Sequence, residues 1–145
     1  MTTIVWDGVM LAADKQVTEG SRAAGVMTKI GRLDADRMWA ISGTAGNSVQ
    51  ALQWVRQGGS GPSPWPPEVE LYVIHRDGRV DIYEQSAIPF TLDPGPFTAG
   101  SGAAAAHAAL QMGADAHVAV AIASTIDVYT GGGVDSLRFE PAADE

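Results

Sequence analysis

Two Asp-Gly dipeptides, each placed between apolar segments, constrain the fold of this 145-residue chain more than any other feature. They are Asp7-Gly8 and Asp77-Gly78. The flanking segments are Thr2–Trp6, Val9–Ala13, Val69–Ile74 and Arg79–Tyr83. Asp-Gly between two strand-like segments is a strong short-range signal for a β-hairpin. The sequence therefore predicts two antiparallel hairpins and a fold organised around antiparallel sheet.

The remaining segments alternate between strands, turns and helices. A further hairpin is predicted where Met27–Leu33 and Met38–Ser42 flank the polar turn Asp34–Arg37, and Asn47 is expected to cap a helix over Ser48–Gln57. The other segments are the Gly/Ser-containing stretch Glu19–Gly25, the loop Gly58–Pro67, a proline-rich segment (Pro89, Pro94, Pro96), the helices Ala103–Met112 and Asp115–Ser124, the segment Ile126–Thr130, the turn Gly131–Gly133 and the strand Val134–Phe139.

This order of elements predicts an α+β fold. Strand pairs followed by a helix, then a strand pair followed by helices, indicate antiparallel sheets with helices stacked outside them. The near-continuous apolar character of several strands indicates that both faces of at least one sheet are covered. We find no repeat and no domain boundary, so residues 1–145 should form one domain with a flexible acidic tail at Glu140–Glu145.

Composition excludes several classes of function. A net charge of −8 without a Lys/Arg stripe argues against binding to nucleic acids or anionic membranes. The absence of cysteine excludes disulfides and thiolate zinc sites, and His75, His107 and His117 are not at metal-ligand spacing. We therefore expect no metal and no cofactor. Without a membrane-length apolar run or a signal-peptide pattern, the expected location is the cytoplasm.

The start of the chain carries a candidate for catalysis. Met1 precedes the small residue Thr2, a context that methionine removal tolerates. Removal would leave a free α-amine and a hydroxyl on one residue, and an α-amine titrates close enough to neutrality to take the hydroxyl proton. Alone, a Met-Thr start favours an ordinary first strand residue, because many proteins start this way.

Five further motifs follow Thr2-Thr3-Ile4-Val5 in a fixed order. They are Leu11–Thr18 (LAADKQVT), Lys29-Ile30, Ile41–Gly46 (ISGTAG), Gly100-Ser101-Gly102 and Asp127–Gly132 (DVYTGG). The ordered set resembles the β-type proteasome subunits and the HslV-type bacterial peptidases, which are N-terminal nucleophile hydrolases of the threonine peptidase family T1. The resemblance runs from Thr2 to about Val134. It implies a four-layer α/β/β/α sandwich, here compact and with a shortened helix layer.

The resemblance implies a role for each matching residue. Thr2 would supply both the nucleophile and the base, and Lys29 would favour the neutral amine and the developing alkoxide through its positive charge. Asp14 would orient Lys29, and the N–H of Gly43 would stabilise the tetrahedral oxyanion. The residues expected around the threonine amine are Ser101, Asp127 and Thr130.

The resemblance also implies a substrate preference. The positions that shape the first specificity pocket correspond to Val17, Met27, Ile41 and Ala45, all of which are apolar. Such a pocket should accept a hydrophobic side chain before the scissile bond (P1). Thr18 and Ala45 would bind the peptide backbone as an added strand.

The chain departs from the family pattern at two places. Its first hairpin is shorter by about four residues, an even deletion that keeps each side chain on its face of the sheet. The loop Gly58–Pro67 replaces the family's second long helix. The resemblance therefore implies a homo-oligomeric ring that acts on peptides or unfolded protein with an unfolding ATPase, but it does not fix the ring size.

Two alternative functions remain open at the level of sequence. One is an N-terminal nucleophile amidase that acts on a small molecule. The other is a non-catalytic ring-forming or scaffold protein, which retention of Met1 would favour because Thr2 would then have no free amine.

Overall fold

The computed structural model describes residues 2–62, 65 and 67–141. The predicted loop 58–67 lies outside the described residues at 63, 64 and 66, and so do Met1 and tail residues 142–145. In chain order, the described elements are β1 (Thr3–Trp6), β2 (Met10–Asp14), β3 (Gln16–Glu19), β4 (Arg22–Val26), β5 (Ile30–Asp34), β6 (Arg37–Gly43), α1 (Ala45–Arg56), β7 (Val69–His75), β8 (Val80–Glu84), β9 (Phe90–Leu92), β10 (Phe97–Gly100), α2 (Ala103–Gln111), α3 (Ala116–Ser124) and β11 (Val134–Arg138). No helix in these ranges is both long and apolar enough to cross a membrane.

Two antiparallel sheets form the centre of the molecule. One has four strands in the order β10-β1-β2-β11, and the other has five in the order β5-β6-β7-β8-β9. Helices α2 and α3 pack on the outer face of the four-stranded sheet, whereas α1 packs on the five-stranded sheet. The layers therefore run helix, sheet, sheet, helix, which confirms the predicted architecture.

Strand β1 shows why these strands are apolar on both faces. Successive side chains of a strand point to opposite faces of the sheet. Ile4 and Trp6 enter the core between the two sheets, while Val5 packs with Ala12 beneath α2 and α3. All four residues of β1 are buried. Burial on both faces explains the continuous apolar run that predicted covered sheets.

The first helix begins earlier than the sequence predicted. Helix α1 starts at Ala45 with Thr44 as its N-cap, so the assignment of Asn47 as the cap was wrong. Thr44 makes no side-chain capping hydrogen bond. The chain instead turns directly from β6 into the helix, where Ser48 N–H donates to Thr44 O at 2.8 Å. Backbone geometry rather than a capping side chain sets this helix start.

The Gly/Ser-containing stretch Glu19–Gly25 is part of a two-stranded ribbon of β3 and β4. Every residue of β4 is exposed. An exposed strand has no buried face, so it lacks the alternation of apolar and polar residues that would predict it. The ribbon is therefore absent from the elements that the sequence predicts.

The proline-rich segment contains two strands that the sequence did not predict. These are β9, on the edge of the five-stranded sheet, and β10, on the edge of the four-stranded sheet. Pro89, Pro94 and Pro96 all lie outside them. Proline lacks a backbone N–H, so the strands form only between these residues and only at sheet edges.

Asp7 links the first hairpin to the helix layer. Its Oδ1 accepts hydrogen bonds from the N–H groups of Val9 at 2.8 Å and Met10 at 2.7 Å. Its Oδ2 accepts from the N–H of Ala116, the first residue of α3, at 2.8 Å. One side chain therefore closes a turn and holds a helix start. Among the described residues, Asp77 in the other Asp-Gly turn bonds only to Arg79 of its own turn.

We predict that Asp7→Ala destabilises the fold more than Asp77→Ala does. The first substitution removes three hydrogen bonds, two within the turn and one to a helix N-terminus, and should cost about 1–3 kcal/mol. The second removes contacts that stay within one exposed turn. Urea unfolding of both variants against the native chain measures the difference. Equal losses would contradict a linking role for Asp7.

Candidate active site

Three residues predicted for catalysis meet at the start of β1. Lys29 Nζ donates to Thr2 Oγ1 at 2.9 Å and lies 3.0 Å from Asp14 Oδ1. Thr2 is 2% exposed, Lys29 4% and Asp14 0%. Thr2 precedes β1, Asp14 ends β2 and Lys29 precedes β5, so the site forms where one sheet meets the other.

Asp14 has partners on both carboxylate oxygens. Besides Lys29, its Oδ1 accepts from the N–H of Thr3 at 3.1 Å. Its Oδ2 accepts from the N–H of Gly131 at 3.1 Å and of Gln16 at 3.3 Å. Burying a charged group is costly unless it is paired and hydrogen-bonded. These contacts offset that cost and hold the carboxylate in the orientation that Lys29 requires.

The environment of Lys29 shifts its protonation equilibrium. Burial lowers the pKa of Lys29 below its ordinary value, while the charge of Asp14 and its hydrogen bond act in the opposite direction. Burial disfavours the charged form of an amine and a nearby carboxylate favours it. Lys29 is therefore an amine of reduced basicity placed directly on a threonine hydroxyl.

A second hydrogen-bond network surrounds the backbone nitrogen of Thr2. That nitrogen donates to Ser101 Oγ at 3.2 Å, and Ser101 Oγ donates to Asp127 Oδ2 at 2.6 Å. Thr130 Oγ1 donates to the same Oδ2 at 2.7 Å, and Tyr129 N–H donates to Oδ1 at 3.2 Å. Partial burial raises the pKa of Asp127, but these hydrogen bonds outweigh it and hold the pKa below its ordinary value.

Two glycines allow the backbone to approach closely at this site. Gly43 has φ +114°, and a Cβ there would lie 1.8 Å from the carbonyl oxygen of Glu68. Gly100 has φ +90°, and its Cβ would lie 1.9 Å from the carbonyl oxygen of Thr2. Both conformations favour glycine and leave no room for a side chain.

A cavity of about 840 Å³ opens beside Thr2 and Lys29. Four of the five residues predicted to bind substrate line it, namely Val17, Thr18, Met27 and Ala45. The fifth, Ile41, is 2% exposed and packs with Met27 in the core cluster beneath α1. The remaining lining residues are Gln16, Glu19, Ser42, Gly43, Thr44, Gly46, Glu68, Glu70, Gln85 and Gly100.

The structure adds residues to the site that the sequence did not indicate. Thr3 Oγ1 lies 2.7 Å from Thr130 Oγ1, so Thr3 supports both networks through its hydroxyl and its N–H. Gln16 Nε2 donates to Thr18 Oγ1 at 3.0 Å and to Val128 O at 3.0 Å. A backbone N–H donor does not depend on residue type, and Thr3 fits the pattern of an ordinary β-branched strand residue. The sequence therefore did not indicate these contacts. Within the described ranges, no group of three or more His, Asp or Glu side chains could hold a metal ion.

The layered architecture is an HslV-like fold. The chain is similar to the crystal structure of eukaryotic HslV from Trypanosoma brucei, with a TM-score of 0.72 and 21% sequence identity over 94% of this chain and 97% of that one. No family model matches the sequence. No curated protein matches it either. The likeness in structure confirms the fold that the motifs implied.

We predict opposite effects for alanine at two neighbouring glycines. Gly43→Ala should destabilise the chain by about 2 kcal/mol or more, because its positive φ and the Glu68 carbonyl both exclude a Cβ. Gly46, in the first turn of α1, has nothing within 4 Å of its Cβ position. Gly46→Ala should therefore stabilise by about 0.5 kcal/mol. Thermal unfolding measures both changes, and a harmless Gly43→Ala would refute the close approach.

We predict that Asp127 makes stability depend on pH in the acid range. Its folded pKa lies below the ordinary value of 3.8, so its contribution is fully present above that pH and is lost as pH falls through the folded pKa. The free-energy difference between the native chain and Asp127→Asn should shrink on acidification. Chemical unfolding across this range measures it, and Ser101→Ala should weaken the dependence. A difference that does not change with pH would contradict the assignment.

Proposed function

We propose that this chain is a threonine-type endopeptidase that uses Thr2 as its nucleophile after removal of Met1. The observation that carries the proposal is the convergence on Thr2: Lys29 contacts its hydroxyl at 2.9 Å and Ser101 contacts its nitrogen at 3.2 Å. An N-terminal threonine needs a base for its hydroxyl and a polar environment for its amine. Removal of Met1 would supply the α-amine as that base, and Lys29 and Ser101 already provide polar contacts to the hydroxyl and the nitrogen of this buried residue.

The proposed reaction follows from these contacts. The neutral α-amine of Thr2 takes the proton from Oγ1, and Oγ1 attacks the scissile carbonyl carbon. Lys29 stabilises the developing alkoxide, and the N–H of Gly43 stabilises the tetrahedral oxyanion. Collapse breaks the C–N bond, and the Thr2 ammonium returns its proton to the leaving amine. Water then hydrolyses the Thr2 ester with the amine again acting as base.

Asp127 and Ser101 would hold the amine of Thr2 in a fixed orientation during this reaction. Ser101 both receives the Thr2 N–H and donates to Asp127, so the carboxylate fixes the direction of the serine hydroxyl. Thr130 holds Asp127 from the other side. The orientation of the amine lone pair towards Oγ1 then depends on a chain of three side chains rather than on one.

The edge of β3 favours a peptide over a small molecule as substrate. In the described part of the chain β3 pairs only with β4, and residues 16–19 of β3 line the cavity. An extended peptide can add to such an edge as a further strand, with Thr18 and Ala45 on either side of it. Val17, Met27 and Ala45 supply an apolar wall that suits a hydrophobic P1 side chain. A small-molecule amidase would not need this edge.

Assembly of several copies belongs to the same proposal. We propose a cytoplasmic homo-oligomeric ring that receives unfolded protein from an ATPase, by analogy with the family that the motifs resemble. Large apolar side chains are exposed in the segments that follow α2 and α3: Met112 at 89%, Ile126 at 67% and Val128 at 78%. Contiguous exposed apolar surface commonly marks protein–protein contacts.

We predict that activity requires both the hydroxyl and the free amine of Thr2. The intact mass of the purified protein should show loss of one methionine, and the processed protein should cleave fluorogenic peptides with leucine at P1. Thr2→Ala should lower kcat by at least about 1,000-fold, while Thr2→Ser, which keeps a hydroxyl and an amine, should retain part of the activity.

Serine and alanine are both small residues, so the two variants should be processed alike, and their masses check this. A processed protein that cleaves no peptide would refute the peptidase. Full activity in Thr2→Ala would exclude Thr2 as the nucleophile.

A further inference from the structure

The cavity beside Thr2 carries more negative charge than its chemistry requires. Glu19, Glu68 and Glu70 line it, whereas Lys29 is its one cationic lining residue and is already paired with Asp14. Glu19 pairs with Arg22 outside the cavity. No ion pair within the described ranges involves Glu68 or Glu70. Glu68 and Glu70 therefore line the substrate space without an ion-pair partner among the described residues.

Glu70 is the one of these carboxylates whose position is fixed. Glu70 is the second residue of β7, and its side chain is half-buried. Tyr72 Oη, two residues along on the same face, donates to Glu70 Oε2 at 2.5 Å. Burial, and next the hydrogen bond to Glu70, raise the pKa of Tyr72 far above its ordinary value, so the phenol remains a donor. A buried tyrosine stacked on Phe97 thus anchors the carboxylate.

A second carboxylate adds negative charge next to Glu70 on the neighbouring strand. Glu84 of β8 is the direct partner of Glu70 in the antiparallel register. Like charges placed directly opposite each other destabilise a sheet. The backbone adds to this cost, because Glu68 has φ +67° and Gln85 has φ +52°, an uncommon conformation for residues other than glycine. Strain and repulsion at a cavity wall indicate a functional demand on that wall.

We propose that Glu70 is a specificity-determining residue that binds a lysine or arginine side chain of the substrate peptide. The inference rests on the proposed peptidase function and names the charge class of its substrate. A basic residue elsewhere in the bound segment would reach Glu70 while a hydrophobic P1 residue contacts Val17 and Met27. The long hydrocarbon stem of lysine or arginine also suits an apolar cavity wall. A charge-assisted hydrogen bond to Glu70 would relieve its repulsion with Glu84.

An internally quenched octapeptide series tests this proposal. Each peptide has leucine at P1 and lysine, glutamine or glutamate at one other position. At one or more positions, lysine should exceed glutamine in kcat/KM by about 10-fold, and glutamate should fall below glutamine. In Glu70→Gln the lysine-to-glutamine ratio should fall towards about 2-fold. Glu140→Gln, which removes the same charge from an exposed residue that does not line the cavity, should keep the native ratio.

The outcomes separate this inference from the peptidase itself. A ratio near unity at every position in the native chain would overturn the role of Glu70 while leaving the peptidase intact. An equal fall in Glu70→Gln and Glu140→Gln would also overturn it, since net charge rather than position would then be responsible. Glu70→Gln should unfold at the same or a higher temperature than the native chain, because it removes the repulsion with Glu84.

Peptide binding to the Thr2→Ala variant gives a readout that needs no cleavage. A fluorescein-labelled lysine peptide should bind this variant more tightly than its glutamine counterpart, by fluorescence anisotropy. Adding Glu70→Gln should abolish the difference. If processed native protein cleaves nothing but this difference appears, the peptidase fails and the basic-peptide site stands. If the two peptides bind alike, the role of Glu70 is refuted.

Discussion

The buried ion pair between Lys29 and Asp14 is the interaction on which the rest of the site depends. Taking both charges out of water costs several kcal/mol per ion, which the pair alone does not reliably repay. Asp14 gains the difference from three backbone N–H groups, those of Thr3, Gln16 and Gly131. These donors belong to β1, β3 and the loop before β11. A single carboxylate therefore fixes three segments that are far apart in sequence, and truncating either partner would leave a buried charge uncompensated.

The geometry at Thr2 is consequently a product of packing between the two sheets. Thr3 is held in β1 by its register with Gly100 on the four-stranded sheet. Lys29 immediately precedes β5 of the other sheet. The next residue, Ile30, packs in the same core cluster as Ile4 and so fixes the position of Lys29. The 2.9 Å distance between Lys29 Nζ and Thr2 Oγ1 therefore depends on the separation of the two sheets. A core substitution far from the cavity would act on the site through this distance.

The sequence predicted those features of the fold that produce a recognisable pattern of burial or of residue type. The Asp-Gly dipeptides between apolar segments predicted the two hairpins, and the ordered motifs predicted the side chains that the structure places around Thr2. The ribbon of β3 and β4 was missed because Arg22–Val26 is wholly exposed. The sequence did not indicate that α1 starts after Thr44, because Thr44 makes no side-chain capping hydrogen bond. Gly131 contributes through its N–H, which every residue except proline has, so no residue type could indicate its role.

Two residues with positive φ and one pair of like charges lie close together on β7, β8 and the segments beside them. Glu68 and Gln85 have positive φ, and Glu70 faces Glu84 across the sheet. All but Glu84 line the cavity beside Thr2. At the other end of β1, Asp7 satisfies three backbone donors without strain. The positive-φ residues and Glu70 therefore mark the same cavity wall that the proposed peptide substrate would contact.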